Sequence, residues 1–161
     1  MSSIVYIEGV VMSFEEKMTW VGAAATVIVA AVYAWIVGAQ VGDMPVDEIA
    51  YKWPLIIAIC AMVGLNIVGA IVVSIATAIS AEVRGEGPID KIDQKDERDV
   101  RIGWRGDRAS FYVASALMMG TLVLTMLGAA HFWIANAILA SFLIGGLSGS
   151  VVKLVTYRRG F

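Results

Sequence analysis

The chain has 161 residues, 59% of them hydrophobic and 16% charged, with 12 Lys and Arg set against 14 Asp and Glu. A composition this apolar, with a mean hydropathy of +0.79, excludes a soluble domain of this length, which could not hide so much apolar surface. The single cysteine, Cys60, lies mid-span among apolar neighbours, which excludes disulfides and cysteine-based metal sites within one chain.

From the N-terminus, Met1 to Val11 shows no basic n-region and no small-residue cleavage site, so no signal removal is expected. Met12 opens the stretch Met-Ser-Phe-Glu-Glu-Lys, which reads like a natural start. Four long apolar segments then follow, at about residues 18–39, 53–80, 111–130 and 132–156. Each reaches the ~20 residues that carry a helix across a ~30 Å hydrocarbon core. The predicted fold is all-α: a polytopic membrane protein of four transmembrane helices arranged as two helical hairpins. Trp20, Trp53, Phe111, Tyr112, Phe132, Trp133 and Tyr157 flank these spans as an interfacial aromatic belt does.

Residues 81–108 form a charged linker between the second and third spans. Its acids (Glu82, Glu86, Asp90, Asp93, Asp96, Glu97, Asp99, Asp107) and its bases (Arg84, Lys91, Lys95, Arg98, Arg101, Arg105, Arg108) nearly cancel. That balance argues against an anionic-lipid patch and against nucleic acid as a partner. Gly85, Gly87 and Pro88 break the second helix. The run from Asp90 to Arg101 is expected to form a separate cytoplasmic helix, with Gly103 and Gly106 turning the chain into the third span. Asp93, Asp96, Glu97, Arg98, Asp99 and Arg101 are the candidate partner-docking residues, read as a solvated, salt-bridged face. The acids lack the glycine and terminal glutamate of an EF-hand loop, so no metal is expected.

Orientation follows from Lys and Arg. The linker's seven bases, Lys17, Lys153, Arg158 and Arg159 lie on one side, and Lys52 alone lies on the other. The positive-inside rule then places the linker and both termini in the cytoplasm.

Within the spans, small residues recur every four positions, the spacing that lets helix backbones approach in a bilayer. The stripes are Gly22, Thr26, Ala30, Ala34 and Gly38; Asn66, Ala70, Ser74 and Ala78; Ala116, Gly120 and Gly128; and Ala137, Ser141, Gly145 and Gly149. The candidate helix-packing residues are Asn66, Gly69, Gly145 and Gly149. Asn66 is expected to clamp two helices, and Gly145 with Gly149 offers a face for a homo-oligomer. The halves also match faintly: Glu16 to Trp20 aligns with Asp107 to Phe111, Trp53 with Trp133, and Gly69 with Gly149. Such a pattern reads as a duplication related by an axis along the membrane normal.

Met12-Ser-Phe-Glu-Glu-Lys17, Lys95-Asp-Glu-Arg-Asp99, His131-Phe-Trp-Ile-Ala-Asn136 and Tyr157-Arg-Arg-Gly-Phe161 together resemble an uncharacterised family of small four-helix bacterial integral membrane proteins. The resemblance implies a bacterial inner-membrane location and assigns no activity or cofactor; some members of related small membrane families look like partners of transcription regulators, which makes a regulatory role conceivable without identifying one. The residues themselves carry no His-Glu-x-x-His motif and no phosphate-cradling glycine loop, and the lone His131 lies in the outer turn. An enzyme is therefore not expected. The leading expectation is a non-enzymatic interaction or regulatory protein. Its alternative is a small oligomeric channel or transporter lined by Asn66, Ser74, Thr121 or Thr125.

Overall fold

The computed structural model describes residues 12–83 and 97–159. Among them run four α-helices, α1 (Phe14–Gly38), α2 (Lys52–Val83), α3 (Glu97–Met126) and α4 (His131–Arg159), with a single 3-10 turn at Val46–Glu48. All four are long and apolar enough to cross a membrane.

α1 starts where a side chain replaces the missing helical acceptor: Ser13 Oγ accepts from the Glu16 N–H at 3.2 Å. Glu15 and Glu16 sit in that first turn, where carboxylates favour the positive end of the helix dipole. α3 ends just as locally. The Ala129 N–H reaches back to the Leu124 carbonyl and the Gly128 N–H to that of Thr125, a Schellman pair closed by Gly128 at φ 70. Gly128 therefore belongs to a turn and not to a packing stripe.

The largest departure from the sequence reading is the start of α3. Glu97 to Ser110 continues directly into the third span as one helix of 30 residues, without a turn at Gly103 or Gly106. At 1.5 Å per residue the helix is ~45 Å long, well beyond the ~30 Å core. A glycine inside a helix costs ~1 kcal/mol relative to alanine, and burial outweighs it here. Ile102 is wholly buried, at 0% exposure, and Gly106 lies against α4. There, a Cβ placed on Gly149 would stand 2.8 Å from the Gly106 carbonyl oxygen and 3.0 Å from Ser110 Cβ. Only the hydrogen of glycine fits.

The small-residue ridge of α3 is thus Gly106, Ser110 and Ala114, while Ala116 and Gly120 face away from the bundle. It meets Ser141, Gly145 and Gly149 of α4, all buried; a Cβ on Gly145 would come within 2.8 Å of Ala114 Cβ. Since α3 covers this face, a homo-oligomer of the chain cannot use Gly145 and Gly149 as its contact.

The principal contacts follow the order α2, α1, α4, α3. The helices stand as an open row. α1 buries Ala25, Val29, Tyr33 and Val37, a seam beside the expected one; Gly22 still meets α2, but Ala34 and Gly38 face outward. Tyr33 Oη donates to Asn136 Oδ1 of α4 at 2.8 Å, and Val29, Val37 and Leu139 pack around that bond. A twofold repeat would match this α1–α4 contact with one between α2 and α3, yet no comparable contact forms. Under the alignment of the halves, Tyr33 and Asn136 correspond to Leu124 and Ile56, which have no group to form the bond.

The connection between α1 and α2 folds over one end of the row. Gln40 Oε1 accepts from the Ala50 N–H at 3.0 Å, Ile49 enters the core, and Tyr51 meets Phe132 edge to face at 5.3 Å. Along the spans, Thr26, Thr77, Thr121, Thr125, Ser141 and Ser148 each donate to the carbonyl four residues earlier. In hydrocarbon an open hydroxyl is costly, and the helix itself supplies the acceptor.

Candidate functional site

The first turns of α3 and the last turns of α4 make the most strongly polar assembly in the described structure. Glu97 and Asp99 lie in the first turn of α3, matched to the helix dipole, and Arg101 stands four residues after Glu97 in the favourable order. The Arg101 Nε–H also donates to the Glu97 carbonyl at 3.3 Å. With Ile102 buried and Gly106 seated on Gly149, this stretch is pinned along α4.

Two polar contacts complete the fastening. Tyr157 Oη donates to Asp99 Oδ1 at 2.9 Å, and Lys153 Nζ pairs with Asp107 Oδ1 at 2.8 Å. The Asp107 side chain is 74% exposed, so that ion pair contributes at most ~1 kcal/mol and serves mainly to fix register. Arg158 lies 5.8 Å from the Trp20 ring centroid and ties the same end of α4 to α1.

The candidate docking residues therefore do not form one uniform face. Glu97, Arg98 and Arg101 are exposed, whereas Asp99 is half-buried and turned to Tyr157. Asp93 and Asp96 lie outside the described residues. Trp104, read in the sequence with Val100 as an apolar edge facing headgroups or a neighbouring chain, is exposed here; Tyr157, Lys153, Ile102 and Gly106 also shape this region, and the sequence reading gave none of these four that role. The four-residue spacing of Gly106, Ser110 and Ala114 was the available signal; the surrounding charges obscured it.

The packing candidates are placed as follows. A Cβ on Gly69 would run into Val21 of α1, and Gly145 and Gly149 touch α3. Asn66 is exposed on the side of the bundle and its Nδ2 donates to its own helix, at the Met62 carbonyl 2.8 Å away. Its Oδ1 only abuts Gly22 of α1. The amide that bridges helices is Asn136, whose Nδ2 is satisfied by the Phe132 carbonyl at 2.8 Å. Asn66 and Ser74 belong to α2, Thr121 and Thr125 to α3, and these helices stand at opposite ends of the row. The four do not line a shared path within one protomer.

At the opposite end, a cavity of about 810 Å³ opens beside the 3-10 turn, with Asp47, Lys52 and His131 on its wall and Tyr51, Trp53 and Phe132 beneath. Among the described residues no three His, Cys, Asp or Glu side chains stand close enough to share a metal ion. Compared with known proteins, the chain matches no family model, no curated protein and no solved structure.

Proposed function

We propose that this is a non-enzymatic, multi-pass protein of the bacterial inner membrane, built as two helical hairpins, which docks a cytoplasmic protein partner through the charged segment ahead of its third span. The observation that carries this reading is the unbroken helix from Glu97 into the span. A helix that leaves the bilayer without a hinge, and is fastened to α4 by Ile102, Asp99 and Asp107, presents Glu97, Arg98 and Arg101 as a fixed pattern of charge. Preorganised side chains cost less to bind than those of a mobile loop.

The orientation is tested by labelling. In a Cys60→Ala background, a cysteine at Asp47 should react with an impermeant thiol reagent on intact cells, and one at Arg98 should react only after lysis. The reverse pattern overturns the topology.

The docking role is tested by reversing two charges at once. Glu97→Arg with Arg101→Glu keeps an opposite-charge i, i+4 pair, and so most of the local helix, while it inverts the field that a partner meets. Recovery of co-purifying protein from native membranes should fall at least about tenfold, the loss expected when ~1.4 kcal/mol of contact energy is removed. A channel predicts otherwise: proteoliposome flux would survive the reversal and fail in Asn66→Leu. Undiminished partner recovery by the reversed protein would remove the docking reading.

A further inference from the structure

Trp53 and Pro54 stand in the wall of the cavity of about 810 Å³ beside the 3-10 turn. The same two residues line a second hollow, of about 550 Å³, that runs between α1 and α2. The chemistry of the two hollows is different. Asp47, Lys52 and His131 bring charge and hydrogen-bonding groups to the first, whereas Val32 and Ile36 of α1 and Ile57, Ala61 and Leu65 of α2 make the second almost wholly hydrocarbon. Ala58 and Ala61 keep this furrow open, each offering a methyl where Ile57 and Leu65 carry larger side chains.

The furrow has the depth of half a bilayer. From Trp53 to Leu65 it descends ~18 Å along α2, against ~15 Å for one leaflet of a ~30 Å core. Trp53, 74% exposed, stands at its upper end as an interfacial indole does, so the polar hollow lies at headgroup level. There Asp47 and Lys52 are both exposed, and among the described residues neither has an ion-pair partner. A ligand that satisfies this wall brings a cation to Asp47 and an anion to Lys52 and His131. His131 carries a ring N–H in either protonation state. Lys52 and His131 are also the first residues of α2 and α4, whose positive dipole ends add to the charge on the side chains.

We infer that the two hollows together hold one phospholipid of the ethanolamine class. Its ammonium meets Asp47, its phosphate meets Lys52 and His131, and one acyl chain lies in the furrow between α1 and α2. The headgroup decides the class. Phosphatidylglycerol brings a phosphate but no cation for Asp47, and choline is a cation without an N–H for the carboxylate to accept. A soluble zwitterion would leave the furrow unused. This inference rests on the bilayer placement proposed above, though not on which side faces the cytoplasm, and fractionation of the protein with membranes tests that placement by itself.

The experiment uses the full chain in nanodiscs containing equal parts of phosphatidylethanolamine, phosphatidylglycerol and phosphatidylcholine, with the lipids retained after gentle detergent extraction counted by native mass spectrometry. Wild type should retain phosphatidylethanolamine at least about fivefold over each of the others, the factor that one exposed ion pair or hydrogen bond of ~1 kcal/mol provides. Asp47→Asn should bring the ratio to phosphatidylglycerol near one, whereas Glu48→Gln, next in the chain but outside the cavity wall, should leave it unchanged. Asp47→Glu, which keeps the charge, should keep the preference and so separates loss of charge from loss of fold. Ala61→Phe fills the furrow and should lower retained phosphatidylethanolamine at least about fivefold although Asp47 and Lys52 are intact. Equal retention of the three lipids by wild type, an undiminished preference in Asp47→Asn, the same loss in Glu48→Gln, or unchanged retention in Ala61→Phe would each overturn the site. A co-purifying protein lost from Asp47→Asn while its lipid preference persists would assign the cavity to a protein partner instead.

Discussion

Gly149→Leu is expected to destabilise the folded protein by about 3 kcal/mol, the upper end of the overpacking range. Even a Cβ at this position would press on the Gly106 carbonyl at 2.8 Å, and backbone cannot yield as a flexible side chain can. Gly146, three residues earlier on the same helix, has nothing within 4 Å. Gly146→Leu should therefore be neutral, or gain up to ~0.8 kcal/mol by removing a helical glycine. Thermal unfolding in detergent, followed by circular dichroism, reads both. Equal shifts in the two variants would show that α4 meets lipid, not α3, along its glycine face.

The second large effect belongs to Asn136. A hydrogen bond between membrane helices is worth only ~0.6 kcal/mol on average, but a buried hydroxyl left without a partner costs about 1–3 kcal/mol. Asn136→Leu orphans Tyr33, which is 8% exposed, so the larger figure applies. Adding Tyr33→Phe should recover much of the loss, because the orphaned group is then gone as well. Asn66→Leu removes a bond that the helix makes with itself on an exposed face, and should change stability by no more than ~0.5 kcal/mol. If Asn66→Leu proved the more damaging of the two, the central clamp would lie between α1 and α2.

These contrasts also mark what the sequence could reveal. Four spans were legible because length and hydropathy alone decide whether a segment crosses a bilayer, and all four segments are helices able to do so. The ridge of α4 was legible too, since Ser141, Gly145 and Gly149 share one face at a constant spacing. The ridge of α3 was not. Gly103 and Gly106 sit among charged residues, where glycine ordinarily marks a turn, and only the opposing glycine of α4 shows that close approach is its purpose. In the same way, both asparagines were visible as polar groups within spans, but which one meets a partner depends on Tyr33, 103 residues away from Asn136 in the chain.

The continuity of α3 gives the molecule a mechanical property. Glu97 stands ~15 Å along the helix axis from Asp107, on a rod with no glycine turn to absorb bending, held to α4 by the Asp99–Tyr157 bond near its tip and by the backbone crossing of Gly106 with Gly149 further along. A load applied at the tip of that rod is delivered as torque to the place where two backbones touch. It passes into α4, and through Tyr33 and Asn136 into α1, so the Glu97 tip and the centre of the row are coupled as the two arms of a lever.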